Sequence, residues 1–143
     1  MKNRLIKTCA ATLLAVCVAS TPSLAQSNYS AWNTTNDAGI DRNEFTSGFG
    51  KIGTFKKWDA NNNGILTESE WRTGLGDHMS GWNSRFGATA WNTWNTDGVA
   101  GLNEAELNTG MFGIYDDNRS GYIEEPEFGD VGDDVGDGGL FDV

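Results

Sequence analysis

The sequence predicts an all-α protein, short helices alternating with polar loops, and three observations predict it. Apolar side chains recur at helical spacing: Phe49, Ile52, Phe55 and Trp58 in "FGKIGTFKKW", then Leu107, Met111 and Ile114 in "LNTGMFGIY". A glutamate followed by an apolar residue opens four similar stretches: "NEFTSGF" (Asn43 to Phe49), "SEWRTGL" (Ser69 to Leu75), "AELNTGM" (Ala105 to Met111) and "PEFGDV" (Pro126 to Val131). Thr67 and Glu70 also have the S/T-x-x-E spacing with which a helix start satisfies two of its free N–H groups.

The repeat has a longer register. With each glutamate as the twelfth position, the segments begin at Asn33, Asp59, Asn95 and Asp116 and are called loops 1 to 4 below. An aromatic residue precedes each start (Trp32, Trp58, Trp94, Tyr115), and a branched aliphatic stands at each eighth position (Ile40, Leu66, Leu102, Ile123). Loop 2, "DANNNGILTESE", places oxygen-bearing side chains at positions 1, 3, 5, 9 and 12 with Gly64 at position 6. Loop 4, "DDNRSGYIEEPE", does the same with Ser120 at position 5 and Gly121 at position 6. A helix-start signal alone would explain the glutamates but not the oxygens before them.

Residues 32 to 128 thus resemble the EF-hand family, in which a helix, a twelve-residue calcium loop and a second helix form one unit. The resemblance implies an all-α fold of helix-loop-helix pairs with short antiparallel loop pairing, and Ca²⁺ as the bound ion. It implies ligation by Asp59, Asn61, Asn63, the Ile65 carbonyl, Thr67 and Glu70 in loop 2. In loop 4 it implies Asp116, Asn118, Ser120, the Tyr122 carbonyl, Glu124 and Glu127. Ca²⁺ takes six to eight oxygens, and the small Asn and Asp side chains supply them without lengthening the loop.

Loops 1 and 3 depart from that pattern. "NTTNDAGIDRNE" and "NTDGVAGLNEAE" begin with Asn, and each has Ala then Gly where the glycine belongs one residue earlier, at Ala38-Gly39 and Ala100-Gly101. Loss of the first carboxylate and displacement of the glycine both weaken binding, so the two are expected to be structural loops, with metal binding left open. Fourteen residues separate Glu44 from Asp59, nine separate Glu106 from Asp116, and twenty-four separate Glu70 from Asn95. By family resemblance this spacing implies two pairs, about 29–75 and 86–128, with Ile40 beside Leu66 and Leu102 beside Ile123. The segment between the pairs reads equally as a hinge or as packed helix. Residues 129–143, rich in Gly and Asp, are expected to be a flexible acidic tail.

Residues 1–25 read as a signal peptide: Lys2, Arg4 and Lys7, a short apolar run, then "SLA". The run is short for a bilayer span of roughly 20 residues. Cleavage removes both cysteines and three basic residues, leaving seven Lys and Arg against twenty Asp and Glu, a formal −13. Disulfides are then excluded, so a metal becomes the expected staple. Such acidity argues against nucleic acid, and no membrane span remains. A secreted or periplasmic location is expected, with a bacterial source. Sequons at Asn28, Asn33 and Asn118 would be glycan acceptors in a eukaryotic route, and a glycan on Asn118 would obstruct loop 4.

His78, the single histidine, has no partner cysteine or nucleophile motif, and no G-x-S-x-G is present, so no enzyme is expected. The expected function is calcium binding as a buffer or as a calcium-stabilised surface or interaction protein, with an unidentified protein partner allowed. The alternative is a sensor that exposes an apolar groove to a target, but only Met79 and Met111 remain after cleavage. Capture of another hard cation such as a lanthanide is a minor alternative, since Asn dominates the ligands. Loop 4, with three carboxylates to loop 2's two, is expected to bind more tightly, both within roughly 10⁻⁵ to 10⁻³ M.

Overall fold

The computed structural model describes residues 29–87, 90–136 and 139–141; the leader expected at 1–25 lies outside them. After a short helical turn α1 (29–32) come α2 (Arg42–Ile52), α3 (Thr54–Trp58), α4 (Glu68–Leu75), a 3₁₀ turn (Gly76–His78), α5 (Met79–Phe86), α6 (Ala90–Trp94), α7 (Glu104–Tyr115) and α8 (Glu125–Val135). The fold is all-α, as the sequence predicts. No described helix is long and apolar enough to cross a membrane.

The loop glutamates start the helices. Asp41, Thr67, Asn103 and Glu124, each at position 9, are N-caps of α2, α4, α7 and α8, and Glu44, Glu70, Glu106 and Glu127 close the reciprocal capping boxes. Both partners satisfy N–H groups that the helix leaves free. Pro126 falls in the first turn of α8, where its missing N–H costs nothing. The helical face read from Phe49 to Trp58 is broken at Gly53, whose left-handed φ of 83° ends α2 and starts α3.

The loops pair differently from the expectation. Two antiparallel bridges join Ile40 to Ile123 and Leu66 to Leu102, so loop 1 pairs with loop 4 and loop 2 with loop 3. Each bridge has two backbone bonds, 2.9 and 3.0 Å in the first and 2.8 and 2.9 Å in the second. Chain proximity suggested Ile40 with Leu66 and Leu102 with Ile123, and that is corrected here. The cause is packing. Helices α2 and α7 lie together, with Phe45 against Phe112 edge to face at 5.8 Å, and this brings the first and last loops together. The segment between loops 2 and 3 is packed helix, and Trp82 of α5 is buried against Trp71 at 4.8 Å.

The two glycines that looked displaced make this pairing possible. A Cβ on Gly39 would come within 2.9 Å of Tyr122 Cβ and 3.0 Å of the Ile123 carbonyl, and one on Gly101 would collide with the Ile65 side chain and lie 2.8 Å from the Leu66 carbonyl. Each degenerate loop therefore needs a residue without Cβ at position 7 because the partner loop's backbone lies against it.

One core runs through the protein. Trp71 and Trp82 are fully buried, with Trp58, Trp91 and Trp94 packed around them. The repeat's aromatic and glycine meet here. The rings of Trp32, Trp58 and Trp94 lie on Gly48, Gly74 and Gly110 of the following helices so closely that any Cβ would strike them. The expected flexible tail is likewise corrected in its described part. Phe128, Val131 and Phe141 are buried, Phe141 packs on Phe49 and Trp58, and its N–H bonds the Asp134 carbonyl at 2.8 Å. Apolar anchors at helical spacing (Phe128, Val131, Val135) were hidden in Gly- and Asp-rich composition.

Candidate metal centres

All four loops share one scaffold. Position 4 is left-handed in each, at Asn36, Asn62, Gly98 and Arg119, with φ of 54°, 55°, 75° and 59°. Only loops 2 and 4 add a second left-handed residue at position 6, Gly64 at 81° and Gly121 at 90°, where Ala38 and Ala100 stand in the others. The position-12 glutamate bridges every loop, one oxygen taking the N–H of position 3 and the other that of position 9.

In loops 2 and 4 oxygens gather around the turn. Asp59 accepts from the N–H groups of Asn63 and Gly64 at 3.2 and 2.8 Å, and Asp116 from those of Ser120 and Gly121 at 2.9 and 3.0 Å. Asn61 and Asn118 accept from the same N–H groups of Asn63 and Ser120 at 3.0 and 2.7 Å, so positions 1 and 3 converge on one backbone atom. The Asn63 side-chain Oδ1 accepts from Ile65 N–H, and Ser120 Oγ contacts both the N–H and the carbonyl of Tyr122. Asn61 donates to Glu70 at 2.8 Å, and Asn118 to Glu124 at 2.9 Å. Thr67 serves as helix cap and donates its hydroxyl to Glu70. The bonds from position 3 N–H to Glu70 and Glu127 are long, 3.4 and 3.3 Å, and both carboxylates are half-exposed.

Loops 1 and 3 spend the same groups on themselves. Glu44 and Glu106 are buried, and their position 3 bonds shorten to 2.8 and 3.0 Å. Glu44 also takes the hydroxyls of Thr34 and Thr35 at 2.9 and 3.0 Å, and Glu106 the N–H and hydroxyl of Thr96 at 2.7 and 3.1 Å. At position 1 an amide replaces the carboxylate. Asn95 Nδ2 donates to the carbonyls of Val99 and Gly101 at 2.5 and 2.8 Å, and Asn33 Nδ2 to that of Asp37 at 3.4 Å. In loop 3 an N–H donor thus occupies the position 7 carbonyl, that of Gly101, which a cation would use.

Charge sets loop 4 apart from the other three, in which the position-12 carboxyl is lowered. Burial alone would raise Glu44, yet the N–H groups of Thr35 and Asp41 and the two threonine hydroxyls pull it down to about 2. Glu106 is lowered chiefly by Thr96 N–H, and Glu70 by the N–H and hydroxyl of Thr67. In loop 4 two carboxyls face each other. Burial and Glu124 push Glu127 up, while Glu124, bonded to Glu127, Asn118 and Ser120, is held down. Such a pair needs a proton or a cation between its members.

A family model described as EF hand matches residues 51–75 and 107–131. These stretches span loops 2 and 4 with the helices on either side. Both stretches match the EF-hand family. Neither the curated proteins nor the solved structures contain a match. The EF-hand family implies calcium binding, and the all-oxygen donors of loops 2 and 4 fit that ion. When bound, Ca²⁺ would supply the positive charge that the facing Glu124 and Glu127 lack. Among the described residues no three His, Cys, Asp or Glu side chains are gathered into a metal cluster, so the three carboxylates of loop 4, Asp116, Glu124 and Glu127, are not brought together as one.

Two features escaped the sequence reading. The saturation of Glu44 and Glu106 follows from Thr34, Thr35 and Thr96, whose hydroxyls were readable only as neutral residues. The second is a polar contact behind EF-hand loop 4, between Tyr115 and Asp134.

Proposed function

We propose that the protein is an exported calcium-binding protein with two sites, held by Asp59, Asn61, Asn63, Ile65, Thr67 and Glu70 and by Asp116, Asn118, Ser120, Tyr122, Glu124 and Glu127. It acts as a buffer or as a calcium-stabilised surface protein, without catalysis. The observation that carries this reading is that Glu70 and Glu127 are half-exposed and held from the position 3 N–H by long bonds, whereas Glu44 and Glu106 are buried and held there by short ones. Loops 1 and 3 act as fixed partners, each bridged to one metal loop.

A sensor opens helix pairs to present an apolar groove. Here the tryptophans seat on glycines and on each other, Met111 is fully buried, and Val99 is the one strongly exposed large apolar side chain among the described residues. That packing supports a protein that holds calcium without opening. Calcium titration by calorimetry on residues 26–143 should give a stoichiometry of two, and Glu70→Gln and Glu127→Gln should each remove one. A stoichiometry of four, or a large calcium-dependent rise in binding of an apolar-surface dye, would reject the reading.

A further inference from the structure

Loop 4 differs from the other loops where its entering helix meets its exit helix. In loops 1 to 3 a tryptophan before the loop is seated on a glycine sixteen residues later. The same step from Tyr115 reaches Val131, a fully buried side chain that leaves no such seat. Tyr115 is instead fastened by its hydroxyl, which donates to Asp134 Oδ2 at 2.8 Å. Arg85 of α5 grips the same carboxylate, with Nη1 at 2.8 Å from Oδ1 and 3.0 Å from Oδ2, and lies 3.5 Å from Asp130.

We propose that Tyr115, Asp134 and Arg85 are positioning residues for the fourth loop, fixing Asp116 for metal binding from behind. This rests on the reading of loop 4 as a calcium site. Tyr115 directly precedes Asp116, whose N–H still bonds Phe112 in the last turn of α7. Asp134 stands on α8, the helix that Glu127 starts. The phenol bond therefore ties the helix carrying the loop's first carboxylate to the helix carrying its last.

The trio is built for this role. The Asp134 side chain is only 7% exposed, and a buried carboxylate is costly unless paired and hydrogen-bonded. Tyr115 and Arg85 meet both needs, while Arg85, 41% exposed, keeps its charge in contact with water. Arg85 also belongs to the segment between loops 2 and 3, so the geometry of loop 4 is tied to the other pair.

The test isolates each site. In a Glu70→Gln background loop 4 is left as the calcium site, and in Glu127→Gln loop 2 is. Tyr115→Phe, which removes one oxygen and keeps the ring, should weaken calcium binding roughly tenfold in the first background, the scale of support lost behind a metal ligand. In the second background binding should stay within about twofold. Arg85→Ala, a half-exposed change distant in sequence from loop 4, should weaken the same site by a smaller factor and guards against misfolding of the first variant. Equal losses in both backgrounds would mean general loosening and would overturn the proposal, as would no loss at loop 4. If the unmodified protein bound no calcium, the functional reading itself would fail, a result distinct from either.

Discussion

The indole of Trp58 covers Gly74, and a Cβ at that glycine would run into the ring. The contact joins the residue before loop 2 to the helix after it, and recurs as Trp32 on Gly48 and Trp94 on Gly110. It sets the approach of two helices by contact rather than by polar bonds. Gly74→Ala should therefore destabilise by about 1–3 kcal/mol through overpacking. Gly81→Ala in α5, where a Cβ meets nothing within 4 Å, should instead stabilise by roughly 0.5–1 kcal/mol through helix propensity. Urea midpoints of the two variants should move in opposite directions; a Gly74→Ala protein as stable as the parent would show the ring to be free to shift.

Loop pairing makes a directional prediction. Leu102 bonds Leu66 across the bridge and is fully buried, so Leu102→Ala should cost about 2–5 kcal/mol. The damage reaches loop 2 first. Calcium affinity should fall more in the Glu127→Gln background, which reports loop 2, than in Glu70→Gln, which reports loop 4. Pairing between chain neighbours would give the opposite order.

The sequence disclosed the units better than their arrangement. Helix starts, loop register and the two well-formed oxygen sets were all local, carried within twelve residues by Asp59 to Glu70 and Asp116 to Glu127. Which loop lies against which depends on how Phe45, Phe112 and the tryptophans share one core, and chain distance does not encode that. A signal was nonetheless present in Gly39 and Gly101. Read as misplaced turn residues, they are in fact where another backbone comes close. The order of Phe141 was hidden for a similar reason, since its partners Phe49 and Trp58 are remote in sequence.

Asn95→Asp tests whether an amide closes loop 3. The change removes the two donor bonds to the Val99 and Gly101 carbonyls and adds a carboxylate to a loop already holding Asp97 and Glu106. Without calcium the variant should lose about 0.5–1.5 kcal/mol, the net scale of hydrogen bonds whose acceptors can turn to water. With calcium that loss should shrink and the stoichiometry should rise from two to three. A stoichiometry still at two would show that Val99 and Ala100, not the amide, keep the metal out.

Glu44 gives loop 1 an acid limit that does not involve metal. Its carboxyl lies at about 2 in the folded protein against an ordinary 4.5, because N–H and hydroxyl donors stabilise the charged form more than burial opposes it. A lowered folded-state value means that the group contributes stability above about pH 4.5. Between there and pH 2 the unfolded chain takes up the proton that the folded chain refuses, so stability falls as pH drops. Urea midpoints in a calcium chelator should therefore decline across that window. Glu44→Gln should be less stable than the parent at pH 7, and the difference should narrow as the pH approaches 2. A difference that stayed constant from pH 7 to 2 would show that the Glu44 charge contributes nothing and that its bonds to Thr34, Thr35 and Asp41 would serve as well from a neutral group.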